Sequence, residues 1–241
     1  SLRAIRFCTK LNFKINNDIK EAIYKKGHLL SSVSNARLFD EFCKIFLNGM
    51  AEKNFNKLVS FGLNKYLVST NLNGCEFSNQ LIIEALRNTD NRIKNNQSVT
   101  PGFLIAALLW PQLIKKSLKG NEINLKKFFR SMDSILRNQQ KITAIPRKFH
   151  TYIKDIWVLQ LKLHSRIGKQ PYKTLKHPRF RAAYDFLLVR EKAAAKTKDL
   201  GFWWTEFQKN NEDLKKKLIN DLKKNNLEES SKVFGFSKEL R

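Results

Sequence analysis

The chain contains little glycine and little proline for its length. Nine Gly and five Pro are spread over 241 residues, whereas a protein of many strands needs these residues at most of its turns. This scarcity argues against a β-sandwich or a β-barrel. Apolar residues recur at helical spacing along nearly the whole chain, which predicts an all-α protein of one or two domains.

Cysteine and histidine are also scarce, and their spacing fits no common site. Cys8, Cys43 and Cys75 lie more than thirty residues apart, so the spacing supports neither a disulfide framework nor a C-x-x-C zinc site. We expect all three to be reduced thiols in the core. The four histidines form no H-E-x-x-H motif, and we expect no metal site in this chain.

Long hydrophobic runs are missing as well. No run approaches the ~18 apolar residues that identify a membrane-spanning helix. The first residues do not have the charged-then-apolar layout of a signal peptide. We therefore expect a cytoplasmic protein with no membrane partner.

Positive charge, in contrast, is abundant. Lys and Arg number 46 against 21 Asp and Glu, which gives a formal net charge of +25 and a pI near 10.1. Such an excess suits a polyanionic partner such as nucleic acid, and composition bias from an AT-rich genome is the alternative explanation. The distribution favours a partner, because residues 141–192 hold 13 basic and 3 acidic residues and so carry +10 of the +25.

Capping residues and apolar periodicity divide the chain into successive helices. Thr100 and Pro101 begin a strongly apolar helix, which Pro111 is expected to kink or end. Pro146 begins the helix with the clearest apolar and basic faces, and the polar residues 139–145 before it predict a joint between two subdomains. The other expected helices cover residues 2–12, 35–48, 53–61, 78–94 and 122–138, and one follows Pro178.

Two arginines near residue 180 run against ordinary helix electrostatics. Arg179 and Arg181 fall in the first turn of a predicted helix, where a cation opposes the helix dipole. A bound phosphate would remove this conflict, because the exposed N–H groups and both guanidinium groups could grip it. The alternative is that both side chains simply point into water.

Aromatic residues near the C-terminal end allow two interpretations. Tyr172, Trp203 and Trp204 could stack on single-stranded bases. For the two tryptophans, the apolar face that they share with Phe202 and Phe207 favours packing in the core.

Five stretches of the sequence point to a known family. They are LRAIRF (residues 2–7), NTDNRI (88–93), PGFLIAA (101–107), HPRFRAAYD (177–185) and WWTEFQ (203–208). The first resembles the run that follows the base-reading motif in the class II nucleotidyltransferases. The other four resemble, in order and spacing, one branch of that family, the bacterial poly(A) polymerases. The last two argue against the related CCA-adding enzymes, and the resemblance ends near residue 208.

The resemblance implies helical neck, body and leg subdomains. Residues 1–15 would end the neck helix, 16–140 would form an RNA-binding body, 141–208 a basic leg, and 209–241 a Lys-rich flexible tail. The family's base-reading acidic motif would fall just before Ser1, and its Gly-Ser loop and paired metal-binding aspartates would lie further upstream. We find neither in this sequence, so we assign no catalytic residue and expect the chain alone to be inactive.

Candidate binding residues follow from the resemblance and from the charge pattern. Arg3 matches a position whose arginine contacts the nucleotide's phosphates in related enzymes. Arg6, one turn later, is assigned to the same nucleotide site or to tying the neck to the body. Basic residues at the exit of one body helix and along the leg are assigned to RNA, and these are Arg92, Lys94, Arg147, Lys148, Lys154, Arg166, Lys169, Lys173, Arg179 and Arg181.

The expected function is the RNA-binding C-terminal portion of a poly(A) polymerase. The complete enzyme would use ATP and Mg²⁺ to add AMP to RNA 3′ ends, which promotes mRNA decay. Expected partners are single-stranded RNA 3′ ends and RNA-decay proteins such as a helicase, and we expect a monomer without a cofactor of its own. Two alternatives stay open, namely a free-standing helical RNA-binding or adaptor module and the body of a CCA-adding enzyme.

Overall fold

The computed structural model describes residues 2–69, 76–120, 122–193 and 199–224. Within these ranges the chain is almost entirely helical, which confirms the predicted all-α class. Cys75 and residues 225–241 of the predicted tail lie outside the described residues. The described elements are α1 (Leu2–Lys10), α2 (Asn17–Lys26), a 3-10 helix (Gly27–Ser32), α3 (Asn35–Phe46), α4 (Ala51–Ser60), a 3-10 helix (Asn64–Tyr66), α5 (Glu76–Lys94), α6 (Pro101–Ser117), β1 (Leu118–Lys119), β2 (Glu122–Ile123), α7 (Leu125–Gln140), α8 (Arg147–Leu163), α9 (Gln170–Leu175), α10 (Phe180–Lys192), α11 (Leu200–Lys209) and α12 (Glu212–Lys224).

The main hydrophobic core surrounds α6. From Pro101 to Trp110 this helix is apolar on every side, and residues 104–110 are at most 2% exposed, as expected for a helix enclosed by others. Helices α5, α7 and α8 pack against it. Trp157 of α8 donates its Nε1–H to the carbonyl oxygen of Ala106 at 2.9 Å, so the one polar group of the buried indole is satisfied.

Helix α6 does not end at Pro111, contrary to one reading of the sequence. It continues to Ser117, and Leu113 and Ile114 beyond the proline are at most 1% exposed. A proline inside a helix costs about 3 kcal/mol or more. Burial of each large apolar side chain in the following turn contributes roughly 1.5–3 kcal/mol, so packing offsets the lost backbone hydrogen bond.

The helix predicted from residue 122 begins slightly later. Glu122 and Ile123 instead pair with the antiparallel residues Lys119 and Leu118. Asn124 then caps α7, since its side-chain oxygen accepts a hydrogen bond from the Lys127 N–H at 2.9 Å.

A second, smaller core lies beneath α11. Trp204 and Phe207 are fully buried and Trp203 is 6% exposed, which confirms core packing for the two tryptophans. The Trp204 Nε1–H donates to the carbonyl oxygen of Leu163, at the end of α8, at 2.9 Å. Ile219 of α12 also belongs to this core, so the described part of the predicted tail contains a packed helix.

A buried arginine joins three helices of the fold. The guanidinium carbon of Arg190 lies 4.9 Å from the centroid of a Trp110 ring, and its NH1 donates to Gln160 Oε1 at 3.0 Å. Gln160 in turn donates to the carbonyl oxygen of Ala183 at 2.9 Å. These contacts fix α10 against α6 and α8, and they thereby fix the position of the arginines at the start of α10.

Candidate nucleic-acid interface

The chain reverses direction after α5, and the turn that follows positions the side chain of Arg92. Asn96 has a φ of 54°, a left-handed conformation that Asn adopts more readily than most other residues. The Arg92 Nε donates to the carbonyl oxygen of Ser98 in this turn at 3.1 Å. Thr100 then caps α6 as predicted, and the guanidinium group is fixed beside the start of that helix.

The start of α10 supplies two more arginines. His177 Nδ1 accepts a hydrogen bond from the Arg179 N–H at 3.1 Å, which shapes the turn before the helix. The guanidinium carbon of Arg179 lies 5.0 Å from the ring centroid of Tyr152 on α8. Arg181 places its Nε 3.1 Å from Asp185 Oδ1, one turn further along α10.

One carboxylate links arginines from two helices. Asp185 Oδ2 lies 3.2 Å from Arg92 NH1, and Oδ1 contacts Arg181. The Asp185 side chain is 15% exposed and that of Arg92 28%, whereas Arg181 is 73% exposed. With Arg179 included, three positive charges face one negative charge, so an excess of two positive charges attracts anions.

These side chains surround a cavity of about 220 Å³ between α5, α6, α8 and α10. The cavity wall combines guanidinium groups with apolar and aromatic surface, and hydroxyl groups lie beside them. Proteins bind phosphates with the first kind of group and stack bases on the second. The apolar lining includes Val99, Phe103, Tyr152 and Ala182, and the hydroxyl groups belong to Thr89, Ser98 and Thr100.

The cavity gathers part of the predicted RNA-binding set. Arg92, Arg179 and Arg181 line it. Three more of the predicted residues are exposed and lie within five residues of a cavity side chain along α5 or α8, namely Lys94, Arg147 and Lys148.

The other four predicted residues lie elsewhere. Lys169 and Lys173 are exposed beyond the opposite end of α8, whose 17 residues span about 26 Å. Lys154 forms an ion pair of 2.5 Å with an aspartate of α7. Arg166 is only 6% exposed, and its guanidinium carbon lies 5.5 Å from the ring of Trp203. Its side chain belongs to the interior of the protein.

The two candidate nucleotide-binding arginines lie on α1, which packs against α4. Arg3 is exposed. Arg6 is half-buried, with its guanidinium carbon 5.0 Å from the ring centroid of Phe7. Their assignment to a nucleotide stays a prediction.

Of the cavity residues, only the three arginines were predicted as site residues, and Tyr152 and Asp185 were not. Tyr152 fits the apolar spacing of its helix, and Asp185 is the last residue of the HPRFRAAYD stretch. The i, i+4 spacing of Arg181 and Asp185 is a signal for pairing on a helix. No local pattern indicates that Arg92, 93 residues before Asp185, contacts the same carboxylate.

Metal ligands do not cluster within the described ranges. No group of three or more His, Cys, Asp or Glu side chains there could hold a metal ion. That part of the chain also contains no helix of the length and hydrophobicity needed to cross a bilayer.

The fold and the cavity define an all-α protein with a cationic, aromatic-lined site suited to a phosphate-bearing ligand. Two family models match this chain. One is described as "Polymerase A arginine-rich C-terminus" and covers residues 121–233, and the other, "Probable RNA and SrmB- binding site of polymerase A", covers residues 12–70. The chain belongs to the bacterial poly(A) polymerase family.

Individual relatives agree with this assignment. Poly(A) polymerase I of Salmonella typhi is 35% identical over 232 residues, which cover 92% of this chain and 50% of that protein. The Haemophilus influenzae enzyme of the same name is 33% identical over 230 residues, or 91% of this chain and 51% of that protein. A CCA-adding enzyme of Anoxybacillus flavithermus is 36% identical over 66 residues, only 27% of this chain and 17% of that protein. The chain spans about half the length of the poly(A) polymerases it matches.

Proposed function

We propose that this chain is the RNA-binding portion of a poly(A) polymerase and that Arg92, Arg179 and Arg181 form part of its RNA contact surface. The observation that carries the proposal is the convergence of these three arginines around one cavity with an excess of two positive charges. The description of the family model for residues 12–70 points to the same ligand.

The exposure of the arginines suits binding to phosphates. Arg181 contacts Asp185 through Nε alone in the pair described, and its side chain is 73% exposed, so most of its guanidinium faces solvent. Arginine forms paired hydrogen bonds with phosphate oxygens more readily than lysine does. Phosphate contacts carry no base information, so this surface holds RNA of many sequences.

In the complete enzyme, RNA held here would present its 3′ end to a catalytic domain that adds AMP from ATP with the help of Mg²⁺. Arg3 and Arg6 would contribute to the nucleotide pocket from the end of the neck. In this proposal the chain comprises a neck (residues 1–15), a body (16–140), a leg (141–208) and a tail (209–241). The complete enzyme would act in the cytoplasm in mRNA decay, with RNA-decay proteins such as a helicase as partners.

The chain itself is proposed to bind RNA without catalysis. Incubated with ATP, Mg²⁺ and an RNA primer, the 241-residue chain should add no AMP, because it contains no Gly-Ser loop with paired aspartates. Magnesium-dependent extension of the primer by the pure chain would contradict this part of the proposal.

A filter-binding titration with single-stranded RNA tests the proposed surface. Arg179→Ala combined with Arg181→Ala should weaken binding about tenfold or more, because each lost hydrogen bond to a charged group is worth about 1.5–3 kcal/mol before solvent screening. Lys216→Ala with Lys217→Ala is the matched control, since it removes the same charge from the exposed side of α12. Equal losses for both double variants would mean that RNA responds to net charge alone and that the surface is wrongly placed.

A further inference from the structure

We propose that the cavity between α5, α6, α8 and α10 is a subsite for a single nucleotide of the RNA, with the base on the Tyr152 ring and its phosphate between Arg179 and Arg181. This inference rests on the proposed function, because it assigns a base contact within a surface proposed to bind RNA phosphates. Phosphate binding requires charge alone. The aromatic ring in the wall of the cavity has no part in such binding.

The size of the cavity limits what can enter it. Its volume of about 220 Å³ lies below the ~300–1,000 Å³ of pockets that hold drug-sized ligands. This volume suits one ring system better than a run of stacked nucleotides. We therefore expect the RNA to turn one base out of its stack, as single strands do when proteins bind them through aromatic side chains.

The Tyr152 ring is a fixed platform. Gly102 at the start of α6 lies directly against it, and a Cβ at that position would stand 2.9 Å from Tyr152 Cδ1 and 3.1 Å from Phe149 Cδ1. The ring therefore packs closely on the backbone of α6 and cannot tilt in that direction. A base that reaches the ring meets a surface that is already in place.

Arg179 occupies this platform when no RNA is bound. Its guanidinium carbon lies 5.0 Å from the Tyr152 ring centroid, and its side chain is exposed. A cation–π contact at an exposed site is weak, whereas a hydrogen bond from arginine to phosphate is strengthened by both charges. Binding therefore exchanges partners, so that the base takes the place of the guanidinium on the ring and Arg179 turns to the phosphate beside Arg181.

The inner wall of the cavity does not demand one particular base. Arg92 is engaged by Asp185 and by the carbonyl oxygen of Ser98. The Thr89 hydroxyl already donates to the carbonyl oxygen of Ala85, and the Thr100 hydroxyl already accepts from the Phe103 N–H, so neither offers a complete hydrogen-bonding pattern to a base. The subsite should thus distinguish a nucleotide from a sugar phosphate more strongly than one base from another.

Two small ligands separate the base contact from the phosphate contact. Adenosine 5′-monophosphate and ribose 5-phosphate carry the same charged group, and only the first has a base. Their affinities for the 241-residue chain are measured by competition with labelled single-stranded RNA and by NMR titration of the tyrosine ring signals. The wild type should bind the nucleotide roughly tenfold more tightly, a typical effect of one base stacked on one aromatic ring.

Variants at two positions identify which side chain causes the preference for the nucleotide over ribose 5-phosphate. Tyr152→Phe keeps the ring and should keep the preference, whereas Tyr152→Leu fills similar space without a flat surface and should bring the affinity ratio close to one. Arg179→Ala should weaken both ligands and leave the preference intact. If Tyr152→Leu fails to fold, wild-type NMR spectra decide, because only the nucleotide has base protons that should show nuclear Overhauser contacts with the Tyr152 ring.

The outcomes test the nucleotide subsite and the RNA contact surface separately. Equal affinities of the two ligands for the wild type, or a preference that survives in Tyr152→Leu, would overturn the nucleotide subsite. If RNA binding still depends on Arg179 and Arg181 in that case, the proposed RNA surface stands. If RNA binding is indifferent to both arginines, the proposed function itself fails.

Discussion

Asp185 determines how the arginines of the cavity are arranged. Its two oxygens lie 3.2 Å from Arg92 NH1 and 3.1 Å from Arg181 Nε. Without this carboxylate, the two guanidinium groups would repel each other across the cavity. The residue therefore sets the spacing of positive charge around the cavity, although it is itself an anion.

Asp185→Asn should lower the free energy of unfolding by about 1 kcal/mol, because a largely shielded ion pair with Arg92 loses its charge. Urea denaturation measures the change. The control is Asp213→Asn, whose partner Lys216 is 68% exposed while Asp213 itself is 91% exposed, and it should have an effect within about 0.5 kcal/mol. Equal effects in the two variants would mean that Asp185 contributes no more than a surface charge.

Cys43 is a second residue whose surroundings change its chemistry. Burial of the thiol, assisted by the negative charge of Asp40, raises the pKa of Cys43 from 9.0 to about 11. At pH 8 very little thiolate is present, and the thiolate is the reactive form. The folded chain favours the protonated thiol, so this group's contribution to stability is complete below pH 9 and is lost as the pH rises toward 11.

Iodoacetamide labelling at pH 8, followed by mass spectrometry of the Cys43 peptide, tests this pKa. Labelling of the folded chain should be many times slower than labelling of the urea-unfolded chain. The stability loss between pH 9 and 11 should be smaller in Cys43→Ser than in the wild type. Equal labelling rates with and without urea would contradict the raised pKa of this half-buried thiol.

At the scale of secondary-structure elements, α12 carries a packed side that its sequence only weakly suggests. Its residues are mostly Lys, Asp, Glu and Asn. Ile219 nevertheless lies 5% exposed in the second core, whereas Leu214 on the same helix is 44% exposed. Ile219, with Leu218 and Leu222 partly buried beside it, therefore anchors a helix whose other residues are mostly charged.

Ile219→Ala should lower the free energy of unfolding by about 2 kcal/mol, the lower end of the range for a buried isoleucine in a core. Leu214→Ala is the matched control on the same helix and should change it by less than about 0.5 kcal/mol. Thermal or urea unfolding followed by circular dichroism measures both variants. A frayed helix would show no difference between them.

Helix positions were predictable where the signal was local. Thr100 and Pro101 define the start of α6 through a side-chain cap and a fixed φ, and both act within one turn. The continuation of α6 past Pro111 depends on packing by other helices, which local rules do not contain. The short helix α9 lies in a stretch for which the sequence predicted no helix, and there the Tyr172 ring centroid lies 5.3 Å from that of Phe207.

At the scale of the whole molecule, the cavity lies on the two helices that contribute to both cores. Residues of α8 and α10 belong to the core around α6 and also to the core beneath α11. Arg190 and Gln160 join these helices in the interior. A rigid junction of this kind holds functional groups more accurately than a loop does.

The charge of the site could be read from the sequence, and its geometry could not. The basic stretch between residues 141 and 192 and the awkward position of Arg179 and Arg181 identified two of the cavity's arginines. The meeting of Arg92 with Asp185 depends on the packing of α5 against α10. The burial of Arg166 could not be predicted from the sequence either. A basic residue in a basic loop has the same sequence pattern whether it faces water or a tryptophan.

The salt dependence of RNA binding tests the central claim, that RNA phosphates contact the arginines of this cavity, most directly. Each phosphate contact with a single strand contributes about 0.7 to the slope of log affinity against log salt concentration. Measured by filter binding over a range of salt concentrations, Arg179→Ala with Arg181→Ala should flatten the wild-type slope by about 1.4, and Lys216→Ala with Lys217→Ala should leave it unchanged. Identical slopes for wild type and the arginine variant would contradict the claim, because they would show that neither side chain contacts a phosphate.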